Sequence, residues 1–447
     1  MPSCKPGRLA VIAALAANLA WPAPVLSQAQ PSQAQPSQVH SSQVLEPVLA
    51  AAQREKAPLL DTLKELVSIE SGSRDLEGLD RLADLIAGRL KALGGEVELI
   101  DVSGDMYRME DTPERVGKVV QATFKGTGTK KVLLIAHMDT VYQRGMLAAQ
   151  PFSIEGNRAF GLGISDDKQG IAVILHTIAM LRSLDVRDYG TLTVAINGDE
   201  EISSPGSRKL LTRLGKEHDV TLSFEASRAE QDKLSLATAG IASVTLTVKG
   251  RASHAGSAPE RGVNAFYEMA HQVLQARDLS RPDVGIKMNW TLAKAGSNRN
   301  VIPAEAQAQA DVRVLRVADY DEIERAVRER VRTQLIPDAK VEMKFERRRP
   351  PLEASPAAKS LAAHAQAIYK ELGKELVVDA VAEGGGTDAA FAALETRNAV
   401  IERFGLQGFG AHTADSEYIL IDNIEPRLYL AARIIRDVAS GKAPLSQ

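Results

Sequence analysis

Val132-Leu-Leu-Ile-Ala136 is apolar at every position and runs directly into His137-Met-Asp139. A strand apolar on both faces is one covered on both sides, as in parallel sheets flanked by helices. Its carboxyl end, where His137 falls, is where such sheets carry their sites. The same texture continues outward: Gly170–Leu184 reads as helix, Thr191–Ile196 as strand, Ser207–Leu214 as helix and Val220–Phe224 as strand. This alternation predicts an α/β unit, a mostly parallel sheet sandwiched by helices. Upstream, Leu60, Leu63, Leu66 and Val67 share one helical face, and Leu79, Leu82, Leu85, Ile86, Leu90 and Leu93 another, so two helices precede the first strand.

From about Gly240 the pattern changes. Ile241–Val248 alternates, Val263–Ala276 is an amphipathic helix, Gly285–Ala293 and Ala304–Val314 read as strands, Tyr320–Gln334 as helix and Val341–Phe345 as strand. The order β-α-β-β-α-β predicts a ferredoxin-like α+β unit over residues 239–350, inserted between catalytic segments 46–238 and 351–447. The second segment holds a helix at Ala357–Leu372, the glycine turn Gly384-Gly-Gly386, a strand at Ala399–Arg403 and a helix from about Pro426 to Val438.

At 447 residues the chain exceeds one ordinary core. Its 54 basic and 57 acidic residues, a formal charge of −3, are spread along the sequence and leave no footprint for nucleic acid or an anionic membrane. Lys5 and Arg8, then the apolar Leu9–Ala20, then Ser27-Gln-Ala29, read as a secretory signal peptide over residues 1–29. That apolar run is too short for the roughly 20 residues that span a bilayer. The expected product is periplasmic or secreted, with a disordered polar linker at 30–45. Cys4, the sole cysteine, lies in the leader, so any metal must be held by His, Asp and Glu.

Five ligand-type residues fall at strand ends or in turns beside them: His137, Asp166, Glu201, Glu225 and His412. Two imidazoles and three carboxylates, one able to bridge, suit a pair of zinc ions. Asp139, two residues beyond His137 on an extended chain, faces the same side and is placed to orient the imidazole. Asp166 taken alone is equally a helix N-cap. Asp199-Glu200-Glu201 follows an apolar strand, and buried acids require a positive partner. Glu201 can ligate while Glu200, turned elsewhere, acts as general base.

The pieces His137-x-Asp139, Asp166-x-Lys168, Glu200-Glu201, Phe224-Glu225 and Gly408-Phe-Gly-x-His412 resemble the M20 family of zinc peptidases. Ser253-His254-Ala-Gly, Asn300-Val-Ile-Pro303, Ala310-Asp-Val-Arg313 and Gly384-Gly-Gly386-Thr-Asp are similar to its bacterial glutamate carboxypeptidases, in collinear order from about residue 55 to 442. The resemblance implies a zinc-peptidase-like catalytic domain with an inserted dimerisation domain. It implies two zinc ions per subunit, one on His137, Asp166 and Glu225 and the other on Asp166, Glu201 and His412, with Glu200 as base. It further implies a cis Asp166–Asp167 peptide bond, a homodimer in which His254 reaches the partner's site, and Lys233, Asn300, Arg313 and Gly386 as substrate contacts. The expected reaction releases a C-terminal amino acid, glutamate above others, from a small peptide or N-acyl substrate. An aminoacylase or dipeptidase of the same family, and a non-catalytic exported binding protein, are the competing readings. A buried, non-ligating Glu200 argues against the last.

Overall fold

The computed structural model describes residues 43–382, 385–413 and 416–445. The expected leader and nearly all of the expected linker lie outside them, as does Gly384. Val44 and Leu45, at the end of the stretch expected as linker, pack against the core, and Leu45 donates its N–H to the Tyr429 hydroxyl.

The main sheet has six strands, in the order Glu96–Ile100, Gly117–Lys125, Thr191–Gly198, Lys131–His137, Val220–Ser223 and Ala399–Ile401. The last four are mutually parallel, and the first two form an antiparallel pair at one edge. The unbroken apolar run explains itself here. Val132, Leu134 and Ala136 enter the large core beneath helices Glu46–Val67, Gln169–Ser183 and Ile424–Ala439. Leu133 and Ile135 point the other way, to Leu211, Leu214 and Phe391. Each residue from Val132 to Ala136 removes its side chain from water, which is why none of them can be polar before His137.

Residues 240–349 make a separate four-stranded antiparallel sheet, ordered Lys287–Ala295, Glu305–Val314, Gly240–Lys249, Lys340–Arg349. Helices Ala265–Gln275 and Val317–Arg330 complete the β-α-β-β-α-β order. Along Gly240–Lys249 and Glu305–Val314, every second residue is buried. Ala242, Val244, Val312 and Val314 pack with Tyr320, Ile323 and Val327, while Thr245 and Gln309 lie on the opposite face, against Glu110.

The sequence reading missed the edge strands Glu96–Ile100 and Gly117–Lys125, the short pair Lys233–Ser235 and Val377–Asp379, and one whole small sheet. A five-stranded sheet joins Ser153–Glu155, Arg158–Phe160, Tyr418–Leu420, Gln407–Phe409 and the two-residue Ser227–Arg228. Strands of two or three residues are too short to show a period. This small sheet delivers His412 to the site.

Candidate metal centre

The carboxyl ends of three parallel strands converge on one point. His137 is the last residue of its strand, Glu200 and Glu201 turn off the end of Thr191–Gly198, and Glu225 lies just past Val220–Ser223. Asp166 enters from the turn before helix Gln169–Ser183, and His412 from the loop beyond Gln407–Phe409. His137 Nε2 stands 2.9 Å from Asp166 Oδ1 and 3.4 Å from Glu225 Oε1. His412 Nε2 stands 3.2 Å from both Asp166 Oδ2 and Glu201 Oε2. Two ligand groups result, His137/Asp166/Glu225 and Asp166/Glu201/His412, and Asp166 presents one oxygen to each.

Donor chemistry and electrostatics both fit divalent cations. Glu201 Oε1 is buried and has no hydrogen-bond partner among the described residues. Burial, with Asp166 alongside, lifts the Glu201 carboxyl to about 7. Burial opposes charge on His137, yet Glu225, Asp139 and Asp166 hold its pKa well above the usual value; bonds to Asp166 and Glu201 take His412 to about 11. Three crowded carboxylates thus demand positive charge, which protons on two imidazoles or a pair of cations can supply.

Asp139 does more than the role expected of it. His137 Nδ1 lies 3.0 Å from the backbone oxygen of Asp139 and 3.5 Å from its carboxylate. The carboxylate mainly accepts from Glu200 N–H at 2.9 Å, Glu201 N–H at 3.1 Å and Ser73 Oγ at 2.8 Å. It therefore positions the Glu200-Glu201 turn, and its carbonyl orients the imidazole. Two residues along an extended chain, the backbone carbonyl lies closer to the ring than the side chain does.

Further supports escaped the sequence reading. The buried Glu417 accepts from the N–H groups of Gly163, Ser165 and Asp166 at 2.8–3.0 Å and from the Tyr142 hydroxyl, fixing the loop that presents Asp166. The Asp166–Asp167 peptide bond is cis. Arg349 enters from the last strand of the ferredoxin-like sheet. Its Nη1 pairs with Glu200 Oε1 and lies 3.2 Å from Asp388, and its Nη2 donates to the Glu200 carbonyl at 2.6 Å. Burial drives the Glu200 carboxyl well upward, and Arg349 opposes this. Arg349 closes the Arg347-Arg348-Arg349 run, whose sequence reads as an ordinary strand end; only strand direction shows which of the three turns inward.

Beside the centre opens a cleft of about 550 Å³, lined among others by Glu200, Arg228, Arg313, Gly386, Arg403 and His412. Of the four expected substrate contacts, Arg313 and Gly386 are in it. A Cβ on Gly386 would stand 2.8 Å from Arg349 Cδ, so this position keeps the Arg349 channel clear. Lys233 is elsewhere: it is buried, with its ammonium 2.7 Å from Asp379, and does not line the cleft. His254 and Asn300 are exposed on adjoining loops of the ferredoxin-like unit, linked by Ala255 N–H to Asn300 O at 2.9 Å, and neither lines the cleft of its own chain. His254 Nδ1 accepts from Gly256 and Ser257 N–H at 3.1 Å, which places the ring proton of the neutral form on Nε2.

The sequence model of peptidase family M20/M25/M40 matches residues 133–437. Carboxypeptidase G2 of a Pseudomonas species is 45% identical over 392 residues, which cover 88% of this chain and 92% of that protein. Among solved structures, a tripeptidase from Staphylococcus aureus superposes with a TM-score of 0.71 at 20% identity, covering 86% of this chain and 99% of the other. An M20 family metallo-carboxypeptidase from Sulfolobus solfataricus gives 0.66 at 16% identity, with the same coverage. These two likenesses concern the fold.

Proposed function

Because this chain belongs to peptidase family M20/M25/M40 and is a metallopeptidase, we propose that it is an exported di-zinc carboxypeptidase that removes a C-terminal residue, glutamate preferred, from small peptides or N-acyl amino acids. The observation that carries the two-metal reading is Asp166, whose two oxygens face opposite imidazoles. His137 and Glu225 would complete one zinc site, Glu201 and His412 the other. The N/O donor set suits zinc. When bound, the ions would polarise the scissile carbonyl and acidify water.

The chain's own residues supply the rest. The Glu200 carboxylate takes the proton of the attacking water and passes it to the leaving nitrogen. Arg349 and Asp139 hold Glu200 in place, one through its carboxylate and carbonyl, the other through its N–H. Arg313, Arg228 and Arg403 give the cleft its positive lining, suited to a terminal carboxylate and an acidic side chain. On a panel of N-acyl amino acids differing only in the terminal residue, glutamate and aspartate are expected to lead. Arg313→Gln should reduce kcat/KM for them by about 10-fold or more, the scale of a lost charged hydrogen bond. Equal rates across the panel would favour the aminoacylase or dipeptidase reading, which shares the metal centre.

The dimer reading draws support from the ferredoxin-like unit. Strand Lys287–Ala295 is at an edge of its sheet, and Leu292, Tyr267 and Leu274 are exposed there and on the adjacent helix. His254 Nε2–H, placed away from its own cleft, would then donate to the oxyanion in the partner's. Mixing His254→Ala with Glu200→Gln subunits tests this: heterodimers regain one complete site, so activity should rise well above either parent. No recovery in a confirmed mixed dimer would refute the shared site. Export rests on the leader reading of residues 1–29; no described helix is long and apolar enough to cross a membrane.

A further inference from the structure

We propose a second small-molecule site, remote from the metals, in which a cavity between the two structural units binds an organic anion with a flat apolar body through Arg208. The cavity measures about 580 Å³, within the usual range of ligand sites. Helix Arg208–Glu217 and the segment Phe391–Glu395 wall one side, Tyr320 and Arg347–Pro350 of the ferredoxin-like unit the other, with Tyr107 between. Phe391, Leu394, Tyr320 and Tyr107 supply apolar surface, and Leu394 and Tyr107 are partly open to solvent.

Arg208 sets the ligand chemistry. Arg208 is 9% exposed, and its guanidinium sits 4.2 Å from the Tyr107 ring centre and 4.8 Å from that of Phe391. Nε donates to the Ser204 carbonyl at 3.1 Å; Nη2 donates to those of Ser203 at 2.6 Å and Arg348 at 2.8 Å, and contacts the Met109 sulfur at 3.8 Å. Among the described residues Nη1 has no hydrogen-bond partner and Arg208 forms no ion pair; the carboxylates of Asp199 and Asp388 act on it only from a distance. The cations around it are all matched: Lys209 with Asp105, Lys216 with Glu395, Arg213 with Glu217, Arg347 with Asp321, Arg348 with Asp111 and Arg349 with Glu200. A buried charge without a counter-ion is costly. Burial accordingly lowers the Arg208 pKa to about 10. An anion with an oxygen on Nη1 would give Arg208 a direct ion pair, and its apolar body would cover the open wall beside Tyr107 and Leu394.

The site also touches the machinery. Through its bonds to Ser203, Ser204 and Arg348, Arg208 ties the turn after Glu201 to the strand that carries Arg349.

The probe is 8-anilinonaphthalene-1-sulfonate, titrated by fluorescence against the purified protein. We expect saturable one-site binding that benzoate displaces and neither benzamide nor inorganic phosphate does. Leu394→Glu places a like charge at the cavity mouth, on a residue 44% exposed, and should weaken binding at least about 10-fold while basal turnover is unchanged. Arg208→Gln should weaken it as much, whereas Glu200→Gln should leave it intact, separating this cavity from the catalytic cleft. Equal displacement by benzamide, or undiminished binding in Leu394→Glu, would overturn the proposal; should Arg208→Gln fail to fold, Leu394→Glu decides alone.

Discussion

Glu200→Gln is expected to lower kcat by at least about 10²-fold with the metal content unchanged, the scale of losing a positioned acid–base group. Glu200 belongs to neither ligand group, so the amide removes a proton acceptor and no metal ligand. The fold should survive, because Arg349 keeps Asp388 at 3.2 Å and is not left as an uncompensated buried cation. Its Nη2 still reaches the residue 200 carbonyl, and the N–H of residue 200 still meets Asp139. Metal analysis beside steady-state kinetics checks this. Activity within a few-fold of the parent would remove Glu200 from proton transfer, and lost metal would make it a ligand.

Asp166→Asn should have the larger effect on binding. Each oxygen of Asp166 serves a different ligand group, so one substitution weakens both. The amide is nearly the same size but is neutral, and its nitrogen has no free electron pair to donate to a metal. On the proposed two-metal reading, metal content should fall from two per subunit to below one after dialysis, with activity down by at least about 10²-fold and a lower Tm, since a bound ion stabilises the native state by mass action. Retention of both metals would show that the two groups do not share this carboxylate. His412→Ala should instead remove one ion and spare the other.

The sequence carried the parallel strands of the main sheet because burial on two faces writes itself as an unbroken apolar run, as in Val132–Ala136, split in space between two cores. It carried the ferredoxin-like unit because burial on one face writes itself as alternation, as in Gly240–Lys249. It also offered all five ligand-type residues, each beside a strand end or glycine turn, and the structure gathers them. Arg349, Asp388 and Glu417 were not legible. Their partners are 149, 184 and 251 residues away or of that order, and no local spacing encodes such a pairing. Lys233 shows the converse: the resemblance pointed it to substrate, and the fold places its ammonium on Asp379.

Periodicity and residue chemistry, both local properties, therefore determined the layers and the identity of the ligands. Which oxygen faces which imidazole, which arginine of three turns inward to Glu200, and which buried guanidinium is left without a direct ion pair were decided by tertiary packing alone. These depend on distances between segments remote in the chain, fixed only when the strands and helices close on one another.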